Sequence, residues 1–158
     1  MLRSGSFSRV SKHEGVACGI RALRRINEAM DQAPPPAGFV PGRHPIDAYG
    51  GGGFRFAGMS HRGSLLALPA GVLAWAATKA GEIDEASLAP LLALAKGDVE
   101  ILLLGTGAGL VPLAAALRWR LRDAGIAADP MPTGAAARTY NILLGEKRRV
   151  AAALIAVP

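Results

Sequence analysis

Residues 99–109, with the sequence VEILLLGTGAG, join an apolar strand to a glycine-rich turn. Leu and Ile run through the strand without the alternation of a half-buried one, which is typical of a strand covered on both faces. Pro112 then marks the first turn of a helix that we predict over residues 111–124. A turn between a strand and a helix N-terminus leaves backbone N–H groups unpaired, and the helix dipole adds partial positive charge. The stretch therefore predicts an α/β domain whose glycine turn has one of two roles: a tight strand-to-helix turn that needs glycine for its geometry, or a site for an anion or acidic group.

Helical and strand patterns alternate on both sides of this stretch. The predicted helix has one apolar face, formed by Leu113, Leu117 and Leu121. Three elements follow it: a short strand over residues 126–128, a helix capped by Thr133 and a last strand over residues 150–157. An earlier helix is predicted to begin at Asp84 or Ser87 and to run through Leu94, with Pro90 in its first turn. Helices between strands predict a largely parallel sheet.

The segment before these elements has the pattern of strands. Phe54-Arg55-Phe56 alternates, residues 65–68 form a second apolar strand, and we interpret residues 60–64 between them as a turn. The four glycines at positions 50–53 are not followed by the Lys-Ser or Lys-Thr pair of a phosphate-binding loop. They indicate a bulge or a close backbone approach at a strand edge. These early strands add antiparallel edges to the predicted sheet.

The N-terminal segment differs from the rest in charge. The chain has 158 residues and a formal net charge of +6, and residues 1–43 carry seven of the basic residues against three acidic ones. The nearly neutral body argues against nucleic-acid binding by the domain. We predict a basic extension over residues 1–38, partly helical or disordered, before a single α/β domain over residues 39–158. An apolar face within residues 16–30 leaves three alternatives for the extension: no separate role, docking on the body, on a partner or on a membrane surface, or an organelle presequence.

A second polar cluster, Arg138-Thr139-Tyr140-Asn141, follows the predicted cap at Thr133. Carboxyl ends of parallel strands share one sheet edge, where ligands of open α/β folds collect, so we expect this cluster beside the glycine turn. Arg138 could then hold a carboxylate or phosphate in bidentate fashion. The candidate ligand-binding residues are Gly105, Thr106, Gly107, Thr133, Arg138, Thr139 and Asn141. The alternative is structural: Arg138 and Asn141 bond loop carbonyls while Tyr140 fills the core.

Catalysis and cofactor binding receive no comparable support. Leu110 stands where a dinucleotide fingerprint needs its third glycine, so that cofactor is not expected. The one cysteine, Cys18, and the three scattered histidines show no ligand spacing, and we predict neither a metal nor another cofactor. No nucleophile, base and orienting group stand together in the sequence, so an enzymatic role is left open but not favoured.

The order of these motifs resembles the Mth-type family of domains of unknown function. The resemblance covers about residues 40–158. It includes the opening stretch 46–56 with Tyr49-Gly50 and Phe54-Arg55-Phe56. The remaining matching positions are residues 101–107, Pro112, Gly125-Ile126, Thr133, Ala136, residues 138–141, Glu146 and residues 148–150.

The resemblance implies a three-layer α/β domain with a mixed, largely parallel central sheet and an N-terminal antiparallel strand pair. The family includes a mitochondrial assembly factor for respiratory complex I, NADH:ubiquinone oxidoreductase. It therefore implies a non-catalytic protein-interaction domain with protein partners, and it supplies no catalytic residues. The alternative function is a binding protein, or an enzyme, for a phosphate- or carboxylate-bearing ligand at residues 105–109 and Arg138. Localisation is expected to be cytoplasmic for a bacterial protein, or mitochondrial if residues 1–30 act as a presequence; the oligomeric state is left open.

Overall fold

The computed structural model describes residues 39–158. The interpretations made for residues 1–38, including the helix within residues 16–30, lie outside the described residues. The strands are β1 (Val40–Pro41), β2 (Ile46–Gly50), β3 (Gly53–Phe56), β4 (Met59–Arg62), β5 (Ser64–Ala67), β6 (Gly71–Trp75), β7 (Ile101–Gly105), β8 (Ala127–Met131) and β9 (Val150–Leu154). The helices are a 3₁₀ turn (Ala80–Glu82), α1 (Ala89–Leu92), α2 (Ala115–Asp123) and α3 (Thr133–Gly145).

Six strands form the central sheet in the order β1-β6-β5-β9-β7-β8. The strands β8, β7 and β9 run parallel, because α2 and α3 return the chain between them. The strands β5, β6 and β1 continue the sheet in antiparallel fashion. The expected mixed sheet with a parallel core is therefore confirmed.

The central sheet separates two hydrophobic cores. Leu102 and Leu104 of β7 face the core formed with α1 and α2, while Leu103 faces the core formed with α3 and the second sheet. Ala151, Ala152 and Ala153 in β9 are fully buried, and their small side chains let elements on both faces pack closely. Each fully buried Leu in these cores contributes about 2 kcal/mol relative to an exposed one. The three-layer arrangement is confirmed.

The second sheet has three antiparallel strands, β2-β3-β4, where a pair was expected. The interpretation of residues 60–64 as a turn is wrong, since Met59–Arg62 pairs along β3. The turn between β3 and β4 is the dipeptide Ala57-Gly58, and both residues have positive φ. Gly51 and Gly52 form the other hairpin turn, with φ of +59° and +79°, so the expected bulge is wrong for these two residues. The expected close backbone approach is present at Gly53, where a side chain would clash with the His61 carbonyl.

Two helices begin later than their sequence signals indicate. Asp84 and Ser87 bond each other's backbone N–H groups in a turn, and α1 starts only at Ala89. The helix after the glycine turn starts at Ala115, so Pro112 lies in the loop before it. Thr133 is the first helical residue of α3 and not its cap, a position that Pro132 occupies.

The C-terminus of α3 offers a test of backbone strain. The Arg148 and Lys147 N–H groups donate to the carbonyls of Leu143 and Leu144, and Lys147 holds φ at +60° where glycine is usual. We expect Lys147→Gly to raise the free energy of unfolding by about 0.5–1 kcal/mol, because glycine adopts this backbone without strain. Urea denaturation of the full chain measures it. The control Glu146→Gly, at a position with φ of −78°, should not stabilise, and an equal gain there would refute the explanation.

Candidate functional site

The turn after β7 is closed by the side chain of Thr106. Its hydroxyl donates to the carbonyl of Gly109 at 2.6 Å and accepts the N–H of Val111 at 3.1 Å. The Thr106 N–H donates to the Met131 carbonyl at 2.9 Å, which ties the turn to the end of β8. Thr106 is 6% exposed, so these bonds are shielded from water. The Thr106 hydroxyl therefore supplies a hydrogen-bond partner to two backbone groups of the turn, which a helix would otherwise pair within itself.

Thr133 fastens the same turn to α3 and to the end of β9. The N–H of Gly107 donates to the Thr133 hydroxyl at 3.0 Å, and the Thr133 N–H returns a bond to the Gly107 carbonyl at 2.8 Å. The Thr133 hydroxyl donates to the carbonyl of Ile155 at 2.8 Å. The side chain has no exposed surface. Three segments thus meet at one buried hydroxyl, and the amide of Gly107 is bonded within the chain.

Gly105 allows α3 to lie directly against β7. A methyl group at this position would lie 3.0 Å from the Thr133 hydroxyl oxygen and 2.9 Å from Cδ2 of Leu154. Gly107 is required for another reason, since its φ is +104°. Both glycines thus have structural reasons for being there.

The expectation that a helix N-terminus lies directly at this turn is wrong for α2, because α2 begins ten residues after Gly105. The neighbouring helix N-terminus is that of α3. There the first amide, of Thr133, is bonded to Gly107, and the Tyr49 side chain lies so close to Gly134 that a methyl group would overlap its hydroxyl. An anion at the turn would therefore compete with bonds that the chain already makes.

Asn141 is used to hold β2 on α3. Its side-chain oxygen accepts the N–H of Ile46 at 2.8 Å, and its side-chain nitrogen donates to the Ile46 carbonyl at 2.8 Å. The amide pairs with this strand residue as a neighbouring strand would. This contact agrees with the structural alternative weighed for Asn141 and positions β2 beside the exposed side chain of Arg138.

Arg138 stands on an open groove between β2 and α3. The groove has a volume of about 520 Å³, and its lining consists of Ile46, Asp47, Ala48, Tyr49, Ala137, Arg138 and Asn141. Arg138 is exposed and takes part in neither of the two ion pairs found among residues 39–158. The glycine turn does not line this groove, and Thr139 is half-buried outside the lining. The chain therefore presents a guanidinium and the Asp47 carboxyl on one groove.

Tyr140 fills the core beneath this groove. Its side chain is 1% exposed and packs in the core shared by α3 and the second sheet. Burial raises the pKa of the Tyr140 hydroxyl, and the positive charge of Arg43 opposes that change. Tyr140 thus holds α3 in place rather than contacting a ligand.

Sequence reasoning missed Asp47 and Tyr49 as groove residues. Tyr49 is singled out only by the family resemblance, and nothing in the sequence distinguishes Asp47 from an ordinary exposed strand residue. Only the pairing of Ile46 with Asn141, across 95 positions, places β2 beside Arg138.

None of the helices among residues 39–158 is long and apolar enough to cross a bilayer.

Two relatives cover most of the chain. A protein of Rhodobacter capsulatus is 46% identical over 126 residues, which are 80% of this chain and 94% of that protein. The Danio rerio protein named NADH dehydrogenase [ubiquinone] 1 alpha subcomplex assembly factor 3 is 35% identical over 135 residues. These residues are 85% of this chain and 74% of that protein.

Solved structures share the fold. A Bartonella henselae protein described as an outer membrane protein is 47% identical, with a TM-score of 0.71 over 75% of this chain and 98% of that one. A Bordetella pertussis protein described as a Mth938-like domain is 28% identical, with a TM-score of 0.64 over 71% of this chain and 85% of that one. The resemblance to the Mth-type family is thereby confirmed. Residues 46–155 match the family described as protein of unknown function (DUF498/DUF598), and this chain belongs to that family.

Proposed function

We propose that this protein is a non-catalytic assembly domain that binds a protein partner in the groove between β2 and α3. The partner is a component of a respiratory NADH dehydrogenase under assembly. The name of the Danio rerio relative and its identity over most of this chain support that partner class. Proteins of this kind act by holding a partner, which requires a specific surface and no reacting group.

The exposed guanidinium of Arg138 is the observation that carries the proposal. Arg is weakly hydrated and can bind a carboxylate through two parallel hydrogen bonds. Since Arg138 has no ion pair with any of residues 39–158, its guanidinium is suited to a carboxylate of a partner. Asp47 on the same groove would accept bonds from donors of the partner. The groove would thus recognise a segment that presents a carboxylate next to a donor.

A small phosphate ligand held jointly by the turn and Arg138 receives less support. Gly107 and Thr133 bond each other, and the groove of Arg138 does not include the turn. Of the candidate ligand-binding residues, Arg138 is therefore the one that we propose contacts the partner. The others that we propose have a role position the groove: Gly105, Thr106, Gly107, Thr133 and Asn141. We propose no contact for Thr139.

Charge reversal at Arg138 tests the proposal. We expect Arg138→Glu to reduce recovery of NADH dehydrogenase subunits on the tagged full chain by at least about tenfold, because it places two like charges at the contact. The control Arg118→Glu makes the same charge change on α2, across the central sheet. Both arginines are exposed, so neither variant should unfold the chain, which urea denaturation checks. Equal recovery with both variants and wild type would refute the groove as the docking site.

A further inference from the structure

Two arginines lie side by side on the outer face of the three-stranded sheet. In the register of β3 and β4, Arg55 stands opposite Ser60, and Gly53 stands opposite Arg62. Directly opposed residues share a sheet face, so Arg55 and Arg62 are diagonal neighbours on one face, with Cβ atoms about 7 Å apart. Neither belongs to an ion pair among residues 39–158. Two like charges held together are unfavourable unless an anion neutralises them.

A groove follows this face. It has a volume of about 570 Å³, and both arginines line it together with Ser60 and the glycines at positions 50, 51 and 53. The remaining lining residues include no Asp or Glu. Gly53 is buried, because the His61 carbonyl fills the place of a side chain there, whereas Arg55, Ser60 and Arg62 are exposed. The groove therefore combines positive charge with an accessible strand surface.

The outer edge of β4 has no neighbouring strand among the described residues. Met59 pairs with Phe56 next to the two-residue turn, and His61 pairs with Phe54. In such a hairpin, these residues exchange hydrogen bonds with β3, so the backbone groups of Ser60 and Arg62 point outward. Both residues are exposed. An added strand would find two donors and two acceptors along this edge, beside the two guanidinium groups.

We propose that β4 receives an extended acidic segment of a protein partner as a fourth strand, with its carboxylates on Arg55 and Arg62. Strand addition supplies backbone bonds, and alternate side chains supply specificity. A second copy of this edge would bring arginines against arginines, and residues 1–38 are themselves basic, so charge disfavours both as occupants. The β4 edge lies across the small sheet from β2, which lines the groove of Arg138. The two grooves share Ala48 and Tyr49, so the substitutions at Arg55 and Arg62 are what test this surface separately.

Amide hydrogen exchange in the full chain tests the geometry. In the free protein we expect fast exchange at Ser60 and Arg62 and slow exchange at Met59 and His61. The probe is a ten-residue peptide of alternating Thr and Glu, which should slow exchange at Ser60 and Arg62 at least tenfold. Slow exchange at both positions before any peptide is added would show that the chain already covers this edge, and would overturn the proposal.

Binding of the same peptide, followed by fluorescence anisotropy, tests the charge. Arg55→Glu with Arg62→Glu should weaken binding at least tenfold, whereas the matched pair Arg118→Glu with Arg122→Glu should not. A peptide with Lys in place of Glu should not bind. A peptide N-methylated at alternate residues, which loses ladder donors, should bind at least tenfold more weakly than its parent. No binding by the Thr-Glu peptide, or equal binding by its methylated form, would overturn strand addition.

Discussion

Replacing Thr133 by Val is expected to lower the free energy of unfolding by about 3 kcal/mol, because a buried carbonyl and a half-buried N–H lose their bonds at once. Valine has nearly the shape of threonine and carries no hydroxyl. The Gly107 N–H would lose its acceptor and the Ile155 carbonyl would lose a donor. Each unsatisfied buried group costs about 1–3 kcal/mol. For a chain of this size the loss corresponds to a melting temperature lower by about 6–12 °C.

Urea denaturation of the full chain, followed by circular dichroism, measures this loss. The control Thr133→Ser keeps the hydroxyl and removes one methyl group, so it should cost only about 1 kcal/mol. A Val variant as stable as the Ser variant would show that the hydroxyl does not hold the turn. The Gly107 N–H would then be available to a ligand, as the sequence indicated for this turn.

Gly105→Ala is the second large effect, with an expected loss of about 2–3 kcal/mol from overpacking. The new methyl group would meet the Thr133 backbone and hydroxyl, each at 3.0 Å, and Leu154 Cδ2 at 2.9 Å. The Leu154 side chain can yield, but the Thr133 backbone is fixed by its bond to Gly107. Helix α3 would therefore have to move away from β7.

The same denaturation experiment separates crowding from a general effect of adding a methyl group. In the control Gly109→Ala, the methyl group meets no atom within 4 Å, so we expect a change within about 0.5 kcal/mol. Equal losses in the two variants would contradict the close approach of α3. A stable Gly105→Ala variant would contradict it as well.

The parallel core was predictable because its sequence pattern is strong and local. The run of Ile and Leu in β7 has few alternatives to a buried strand. Leu117 and Leu121 of the predicted apolar face identify α2, whereas Leu113 lies in the loop before it. Strand β4 was not predictable in the same way. Ser60, His61 and Arg62 are polar residues typical of a turn, and an exposed edge strand does not need apolar alternation.

The start of α2 illustrates a tertiary effect that local signals miss. Pro112 is compatible with a first helical turn, yet no residue before Ala115 is helical, and Ala114 has an extended ψ of 138°. The Thr106 hydroxyl bonds both Gly109 and Val111 and so holds the preceding residues in a turn. A side chain several positions upstream thus decides where the helix begins.

Of the candidate site, the sequence predicted Arg138 but not the residues that surround it. Arg138 stands out as a cation in a polar cluster, but its groove is completed by Asp47 and Tyr49, which come from a strand nearly a hundred positions earlier. No local pattern encodes that pairing. Thr133 and Gly107 are joined by mutual hydrogen bonds that no local pattern at either position indicates.

The most direct test of the groove between β2 and α3 is hydrogen exchange on the full chain, with and without the NADH dehydrogenase subunit that we propose it binds. We expect slower exchange on binding in residues 46–49 of β2 and at Ala137, Arg138 and Asn141 of α3, which line the groove. We expect no change at residues 106–109, whose turn is fastened internally. Slowing confined to the turn, with the groove unchanged, would contradict the account.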